Sequence, residues 1–229
     1  MTDTKNLSIG IDVGGTFTDF VALDATGHTV IAKTPSTPED QSIGVPAGLE
    51  KLAERLDLTV ADMLARTERI VHGTTVATNA LLERKGALTG MLTTAGHRDI
   101  IEMREGLKPE RYNLLMPPPE PLVPRDLRRP VPERIRQDGS IAEPLDETAL
   151  RAGIKARRDR GVTSVAICFL NSYRNPDHER RAAELVAEIM PDAYVSVSST
   201  VLPQIKEYER FSTTMVNAYI GPVVRKYMD

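Results

Sequence analysis

The sequence lacks the features that mark secreted, membrane-spanning or nucleic-acid-binding proteins. Its apolar runs all fall short of the ~20 residues that cross a bilayer, and its polar start, MTDTKN, is not a signal peptide. The formal net charge is only -3, so no strong field would attract nucleic acid or an anionic membrane. These absences predict a cytoplasmic protein with no nucleic-acid or membrane partner.

Cysteine is nearly absent, because Cys168 is the single one among 229 residues. One cysteine cannot form an internal disulfide bond, which fits a reducing compartment. Cys168 lies inside the apolar run VTSVAICF, so we predict a buried and unreactive thiol. The chain is long enough for one sizeable core or for two small domains.

The best-known phosphate-binding motifs are also missing. The chain has neither the Lys-Ser/Thr pair of a Walker A loop nor the spacing of G-x-G-x-x-G. Instead it has IGIDVGGTFTDF at residues 9–20, where apolar runs flank an acidic residue, two glycines and two threonines. This pattern predicts a strand, a tight bend and a second strand.

The bend in IGIDVGGTFTDF contains residue types that suit the phosphates of a nucleotide. Gly14 and Gly15 let backbone N–H groups approach an anion, while the hydroxyls of Thr16 and Thr18 can donate to phosphate oxygens. Asp12 would repel a phosphate unless a cation lay between them, so it indicates a Mg²⁺ ligand. The alternative interpretation is an ordinary tight turn with local hydrogen bonds.

Alternating apolar segments predict an α/β fold. Three strands, at 7–12, about 17–23 and about 29–34, precede a helix over roughly 42–56. Further elements at 69–75, 76–85 and 87–94 then predict a βαβ unit. The second half predicts a hairpin over 134–143, a helix capped by Asp146, a buried strand, another helix and strand, and a closing helix over about 203–219.

A proline-rich segment, GLKPERYNLLMPPPEPLVPRDLRRPVP, occupies residues 106–132. Its prolines disfavour a regular helix or a central strand. Tyr112, Leu114 and Met116 would anchor it to the α/β body, and the alternative is a disordered linker. We therefore divide the chain into an N-terminal ATPase-like lobe at 1–103, an insertion with its hairpin at 104–145, a second α/β portion at 146–200 and a terminal helix at 201–229.

A second polar cluster, HGTTVATN, begins at His72, where a predicted strand ends and a helix begins. Thr74, Thr75 and Asn79 can face a substrate or the γ-phosphate, since helix starts after parallel strands favour polar ligands. Simple capping of the helix by a threonine explains the same residues. We list Asp12, His72 and Thr75 as candidate catalytic residues, although a histidine at a strand end is more often a packing residue.

Five separated blocks, in order, resemble the A-type subunits of the hydantoinase/oxoprolinase family. They are IGIDVGGTFTDF, RIVHGTTVATNALLERKGA, TTAGHRDIIEM, AICFLNSYRNPDHERR and VLPQIKEYERFSTTMVNAYIGPVV, and together they cover nearly the whole chain. The order of the first elements resembles the ATPase lobe of the actin and sugar-kinase superfamily, in which DxGGT-like hairpins hold a nucleotide's phosphates. The resemblance therefore implies an α/β, ribonuclease H-like ATPase lobe.

The family includes ATP-dependent N-methylhydantoinases and 5-oxoprolinases, and also carboxylases of acetone and acetophenone. Their shared chemistry is activation of a carbonyl oxygen. By resemblance, Asp12 would position Mg²⁺, and Gly14, Gly15, Thr16 and Thr18 would hold the phosphates of ATP. The resemblance implies a hydantoin or lactam amidohydrolase that acts on a small cyclic amide together with a B-type subunit.

The family's A-type subunits are several times longer than this chain, so the resemblance implies an N-terminal portion of such a subunit. Half of a nucleotide cleft should bind ATP weakly and turn over little or nothing by itself. Two alternatives stay open. One is the corresponding part of a ketone carboxylase, and the other is a non-catalytic scaffold that docks a partner through the proline-rich segment.

Overall fold

The structure, a computed structural model, describes residues 6–37, 41–106, 110, 112–117 and 119–228. The chain divides into two compact units. The first comprises Met1–Glu83 with Tyr227–Asp229, and the second comprises Arg84–Lys226. Both ends of the chain therefore contribute to the first unit, whereas the second unit is one continuous segment.

A four-stranded sheet in the order β3-β2-β1-β4 forms the centre of the first unit. Its strands are β1 (Leu7–Val13), β2 (Phe17–Asp24), β3 (Thr29–Pro35) and β4 (Thr67–Thr74), and its helices are α1 (Gln41–Arg55), α2 (Val60–Ala65) and α3 (Val76–Leu82). β1 pairs antiparallel with β2 and parallel with β4. This arrangement confirms the predicted α/β class and its three-strand start.

Strict alternation along β1 gives the first sheet one buried face. Every second residue of β1 is buried, and Asp12 lies on the other, exposed face. The buried face packs with Phe20 of β2 and Leu52 of α1. Gly48 permits this close approach of helix and sheet, because a Cβ added there would lie 2.0 Å from the Phe20 ring.

The second unit has a parallel sheet in the order β10-β9-β5-β6. Its strands are β5 (Thr89–Thr94), β6 (Arg128–Val131), β9 (Ser164–Cys168) and β10 (Tyr194–Val197), beside a hairpin of β7 (Arg134–Ile135) and β8 (Ile141–Glu143). Its helices are α4 (Ile100–Met103), α5 (Glu147–Arg158), α6 (Asp177–Ile189), α7 (Ser198–Val201) and α8 (Glu207–Met228), of which α8 ends in the first unit. In the part of the chain that the structure describes, every helix is too short or too polar to span a bilayer.

Local sequence signals are confirmed in the second unit. Asp146 Oδ1 accepts a hydrogen bond from the Ala149 N–H at 2.9 Å and caps α5. The predicted hairpin is present, and Gly139 in its turn has φ 88°, a value that suits glycine. The closing helix is longer than predicted, because it runs from Glu207 to Met228.

The predicted βαβ unit over 69–94 is wrong, because β4 and β5 lie in different sheets. β4 pairs with β1, whereas β5 pairs with β6 and β9. Each strand was predicted in nearly its observed place, but an apolar run does not identify its partner strand. The first boundary between the two units accordingly lies between Glu83 and Arg84, whereas the sequence-based division placed the end of the N-terminal lobe at residue 103.

The proline-rich segment packs through other residues than those predicted. Tyr112 and Leu114 are 89% and 87% exposed and do not anchor the segment, while Met116 is half-buried. Val123 and Leu127 enter the core of the second unit instead. Residues 107–109, 111 and 118 of this segment lie outside the described residues.

Cys168 provides a prediction about reactivity. The thiol is completely buried in β9, and this burial raises its pKa well above the ordinary value, with the Glu179 carboxylate adding to the shift. Because the thiolate is the reactive form, we expect the native chain to react with a thiol reagent at least roughly a hundredfold more slowly than the unfolded chain. Ellman's reagent measures both rates, and equal rates in buffer and in denaturant would contradict the prediction.

Candidate functional site

The bend after β1 lies at the carboxyl ends of two parallel strands. In the register of β1 and β4, Asp12 is opposite Gly73 and Val13 is opposite Thr74. The residues that follow the two strands therefore emerge side by side. The Thr75 N–H donates to Val13 O at 3.2 Å and ties the two strand ends together.

Asp12 presents an open carboxylate at this edge of the sheet. Its side chain is exposed and, in the part of the chain that the structure describes, has no hydrogen-bond or ion-pair partner. Neighbouring Gly73 leaves space beside it, since even an added Cβ there would be 3.6 Å from Asp12 Oδ1. Asp19 on β2 differs, because Lys33 Nζ lies 3.0 Å from its carboxylate. The negative charge of Asp12 is thus uncompensated within this edge.

Ser36 stabilises the bend through two hydrogen bonds to its backbone. Ser36, just after β3, donates its hydroxyl to Gly14 O at 2.7 Å and its N–H to Thr16 O at 2.9 Å. Within the bend, the Gly14 N–H donates to Phe17 O at 3.0 Å, and an added Cβ at Gly14 would lie 2.9 Å from that oxygen. Ser36 was not among the residues predicted from the sequence. The signal for it was a polar residue directly after β3, where antiparallel pairing with β2 places it beside the bend.

Thr18 differs in position from the other residues predicted to bind phosphate. Its side chain is completely buried, and its hydroxyl shares a 2.9 Å hydrogen bond with the Ser36 hydroxyl. Gly15 and Thr16, by contrast, are exposed at the tip of the bend. Alternation along β2 turns Thr18 toward the core, so in this structure it supports the bend from inside.

The second polar cluster meets the bend. An added Cβ at Gly15 would lie 2.9 Å from Asn79 Nδ2, so the two motifs are in direct contact. Asn79 Nδ2 also donates to Thr75 Oγ1 at 3.2 Å. Thr74 is engaged locally, because its hydroxyl donates to Val13 O at 3.3 Å. The structure thus brings Thr75 and Asn79 to the bend, with Thr74 just behind them.

His72 does not join this group. It is in register with Ile11, whose side chain is buried, so its imidazole lies on the face of the sheet opposite to Asp12. Its Nε2 shares a hydrogen bond with the Tyr227 hydroxyl. These contacts agree with the packing role that the sequence left open for His72.

The donors at this edge fit one kind of metal site. Among the described residues, no three His, Cys, Asp or Glu side chains lie close enough together to hold a metal ion by themselves. Mg²⁺ does not need such a cage, because it keeps several waters and binds through one or two carboxylates and substrate phosphates. An exposed carboxylate at Asp12, next to the Gly14–Thr16 bend, fits Mg²⁺ held in that way.

Comparison with known proteins decides the family. The model of the hydantoinase/oxoprolinase N-terminal region matches residues 8–190, which is most of the chain. The chain belongs to the hydantoinase/oxoprolinase family. The family predicted from the five sequence blocks is therefore confirmed.

Members of the hydantoinase/oxoprolinase family with different activities resemble this chain. It is 47% identical to the caprolactamase subunit alpha of Pseudomonas jessenii over 96% of its length, and the crystal structure of that ATP-dependent caprolactamase matches with a TM-score of 0.86. It is 40% identical, over 93% of its length, to the acetophenone carboxylase gamma subunit of Aromatoleum aromaticum. The nucleotide-free structure of acetone carboxylase matches 97% of the chain at 29% identity, with a TM-score of 0.89.

The chain is much shorter than these family members. It spans 32% of the caprolactamase subunit, 31% of the acetophenone carboxylase subunit and 33% of the acetone carboxylase chain. The match therefore concerns about a third of each relative. What the complete relatives do is relevant to this chain only as a basis for proposals.

The hydrogen bonds of Ser36 generate a prediction about the bend. Ser36→Ala removes the hydroxyl that contacts Gly14 O and Thr18, and it leaves the buried Thr18 hydroxyl without that partner. We expect a loss of about 1–3 kcal/mol in the free energy of unfolding of the first unit. We also expect faster hydrogen exchange at the Gly14 N–H.

Urea unfolding and amide exchange measure these two effects. Ser8→Ala, on β1 and away from the bend, is the matched control. It should change the free energy of unfolding by no more than about 0.5 kcal/mol and leave the exchange rate of the Gly14 N–H unchanged. Equal stability and exchange in the two variants would show that Ser36 does not hold the bend.

Proposed function

We propose that this chain is the N-terminal, phosphate-binding part of an ATP-dependent amidohydrolase that opens a lactam or hydantoin ring. The observation that carries the proposal is the contact between the Asp12–Thr16 bend and Thr75–Asn79 at the carboxyl ends of β1 and β4. Two sequence motifs with ligand-binding residue types converge there from separate parts of the chain. The ATP-dependent relatives support ATP as the nucleotide.

Each residue at this edge has a proposed role. Backbone N–H groups at Gly15 and Thr16, with the Thr16 hydroxyl, would donate to phosphate oxygens. Asp12 would hold Mg²⁺, which supplies neutralisation of the phosphate charge. Thr75 and Asn79 would contact the γ-phosphate or the substrate. Gly14 gives the backbone space to turn, while Thr18 and Ser36 would keep the bend in shape.

The use of ATP has a chemical reason in this class of substrate. An unstrained lactam is stabilised by amide resonance, and its open product recloses readily. Phosphorylation of the carbonyl oxygen by ATP would make the carbonyl carbon more electrophilic, so that water adds to it and the ring carbon–nitrogen bond breaks as the nitrogen takes up the proton that water loses. The acyl phosphate left behind would then be hydrolysed to the carboxylate and phosphate. A site that binds ATP phosphates beside a cyclic amide is therefore the expected arrangement.

The relatives favour a lactam over a ketone as the substrate. Identity is 47% with the caprolactamase subunit, compared with 40% and 29% for the acetophenone and acetone carboxylase chains. The corresponding part of a ketone carboxylase is the second candidate, and the TM-score of 0.89 with acetone carboxylase favours it. The third candidate is a scaffold, for which the exposed Tyr112, Leu114 and Leu115 offer a surface.

We further propose that the complete protein continues beyond this region and works with a partner in the cytoplasm. The relatives are about three times longer, and those from Pseudomonas and Aromatoleum are named as subunits. A B-type hydantoinase/oxoprolinase subunit is the proposed partner. By itself, the present chain is expected to bind ATP weakly and to show little or no turnover.

Asp12 generates the decisive prediction for this function. Asp12→Asn in the complete subunit, assembled with its partner, removes the negative charge and leaves the size of the side chain unchanged. If Asp12 holds Mg²⁺ against the phosphates, we expect ATP turnover to fall by roughly a thousandfold or more. Turnover at varied Mg²⁺ measures the effect, and circular dichroism checks the fold.

Asp24→Asn is the matched control. Asp24 ends β2 beside the turn to β3, where its Oδ1 accepts hydrogen bonds from Thr26 and His28, and asparagine retains that oxygen. The control should keep nearly normal turnover. Near-normal turnover in Asp12→Asn would instead mean that the bend is only a turn, and the nucleotide site would be rejected.

The substrate class has its own test. Purified complete enzyme is offered lactams, hydantoins and ketones, each with and without bicarbonate, and ATP consumption is measured. We expect a cyclic amide to stimulate ATP consumption without bicarbonate. Stimulation only by a ketone with bicarbonate would establish the carboxylase alternative. The non-catalytic scaffold would be the better interpretation if no compound stimulated ATP consumption and if nucleotide did not protect the Gly14–Thr16 amides from hydrogen exchange.

A further inference from the structure

Three arginines cluster in the second unit, outside the site described above. Arg129 lies on the edge strand β6, Arg157 lies in the last turn of α5, and Arg160 follows that helix. Arg157 Nη2 and Arg160 Nη1 each donate to the main-chain oxygen of Asp126 at 3.1 Å, so these two guanidinium groups are close neighbours. Positive charge is therefore concentrated beside the segment that leads into β6.

Gly153 brings Arg129 to the same place. An added Cβ at Gly153 would lie 2.9 Å from Arg129 Cγ and 3.4 Å from Arg129 Nε, so the arginine side chain crosses α5 directly over this glycine. Gly153 precedes Arg157 by four positions, and residues four apart lie on one face of a helix. The Arg129 side chain therefore lies along the face of α5 that carries Arg157.

Two glycines leave room for the arginine side chains. Gly153 is in the interior of α5, where glycine is less favourable than alanine, but a larger residue there would meet Arg129. Gly90 on β5 has the same relation to Arg157, since an added Cβ there would lie 3.0 Å from Arg157 Cγ. The close approach of both arginines thus depends on residues without side chains.

Arg157 is buried without an equal opposite charge. It is only 9% exposed, and its hydrogen bonds go to the main-chain oxygens of Leu127 and Asp126. Burial lowers the pKa of Arg157 from its ordinary value, and the charges of Arg129 and Arg160 lower it further, while the Asp126 carboxylate has a smaller effect in the opposite direction. Buried charges are normally paired. Arg157 therefore lies where positive charge exceeds negative charge.

Arg129 has donors that are not used by the described part of the protein. Its Nε is buried there without a hydrogen-bond partner, and the guanidinium forms no ion pair with a described residue. Neighbouring arginines differ, because Arg128 pairs with Glu102 at 2.9 Å and Arg158 pairs with Asp159 at 3.1 Å. A buried donor without an acceptor is costly. The Arg129 side chain is partly exposed, so an acceptor can reach it from solvent.

The charges of the cluster favour a dianion as the ligand. Arg129, Arg157 and Arg160 are positive, and Asp126, which bonds to Arg160, is negative, so two positive charges are left uncompensated. A phosphate group carries about -1.5 to -2 charges at neutral pH and has three strong acceptor oxygens. Guanidinium groups bind such oxygens through paired N–H donors. A carboxylate would compensate only one of the two charges.

We propose that Arg129 and Arg157 form a binding site for a small phosphate-bearing molecule in the second unit. The N–H groups of Arg129 donate to phosphate oxygens, and Arg157 contributes its positive charge from the buried side. Arg160 stays paired with Asp126 at the rim. This inference does not depend on the proposed function, because it uses neither Asp12 nor the bend of the first unit. Inorganic phosphate and a phosphate monoester share the chemistry that the site recognises.

The site is tested on the chain itself by NMR of the arginine side chains. Chain labelled with ¹⁵N-arginine is titrated with inorganic phosphate at neutral pH and constant ionic strength, and Arg129→Gln and Arg157→Gln assign the two Nε–H signals. We expect both signals to shift saturably with a dissociation constant of about 1 mM or lower. We also expect the Arg129 Nε–H to exchange more slowly with water when phosphate is bound. Chloride at the same ionic strength should cause no saturable shift.

Variants locate the binding at Arg129. In Arg129→Gln, phosphate binding followed at the Arg157 signal should weaken at least about tenfold, because a charge and a paired donor are lost. Arg158→Gln removes the same charge from the exposed surface of α5 and is the matched control, with binding expected within about twofold of the unmodified chain. Gly153→Ala keeps every charge but displaces the Arg129 side chain, so it should also weaken binding. It provides the test if Arg129→Gln does not fold.

Several outcomes would overturn the proposal. Equal shifts with phosphate and chloride would show that water and ordinary counterions satisfy Arg129. Equal phosphate binding in Arg129→Gln and Arg158→Gln would place the phosphate elsewhere, and acetate that binds as tightly as phosphate would indicate a carboxylate site. Glycerol 3-phosphate identifies the source, because tighter binding than inorganic phosphate indicates an organic phosphate and weaker binding indicates the free ion. The Gly14–Thr16 amides, followed in uniformly labelled chain, report separately on the proposed ATP site.

Discussion

The parallel pairing of β1 with β4 is the contact on which the candidate site depends. Antiparallel neighbours can be joined by a short turn, but a parallel neighbour requires a long crossover, which here includes α1 and α2. The cost of closing a longer loop grows only slowly with its length. The register of the pairing is much more restrictive. A shift by one residue would replace Gly73, the neighbour of Asp12, by a residue whose side chain belongs to the other face of the sheet. The β1–β4 pairing therefore tolerates crossovers of different lengths but requires this one register.

Elements with local signals were predictable from the sequence. Apolar runs separated by turn residues identified β1, β2 and β3, and Asp146 identified the start of α5, because the responsible interactions lie within a few residues. The partner of β5 was not predictable in this way. Its pairing with β9 depends on contacts between distant segments, and apolar strands resemble one another. The exposure of Tyr112 has the same cause, since burial depends on a surface that the local sequence does not encode.

The candidate site shows the same division. Asp12, Gly14, Gly15 and Thr16 lie together because one bend contains them, and the motif predicted that. The contact of Gly15 with the second polar cluster was only a hypothesis until the β1–β4 pairing placed both at one edge. These positions agree with the predicted phosphate contacts, which stay predictions. Ser36 was not predicted, because its role depends on the pairing of β2 with β3 and not on its own neighbours in the sequence.

Buried charge organises the carboxyl end of β9 in the second unit. Glu179 is completely buried and accepts hydrogen bonds from the Phe169 N–H, the Ser199 N–H and the Ser198 hydroxyl at 2.6–2.8 Å. Burial raises the pKa of Glu179, while these donors act in the opposite direction. Arg210 of α8, also completely buried, donates to Phe169 O at 3.2 Å. Because buried polar groups are stable when hydrogen-bonded, these bonds hold β9, α6, α7 and α8 in one arrangement, although Arg210 Nε is buried without a hydrogen-bond partner in the described structure.

The first unit draws on both ends of the chain, and this has a consequence for biosynthesis. Tyr227, which bonds to His72, follows it by 155 positions. Translation therefore delivers the whole second unit before the last residues of the first unit exist. Because domains fold as units while the chain grows, the second unit can complete its sheet while the first still lacks Tyr227. Of the two units, the one whose synthesis begins first is thus completed second, because the hydrogen-bond partner of His72 on β4 is made only after the second unit.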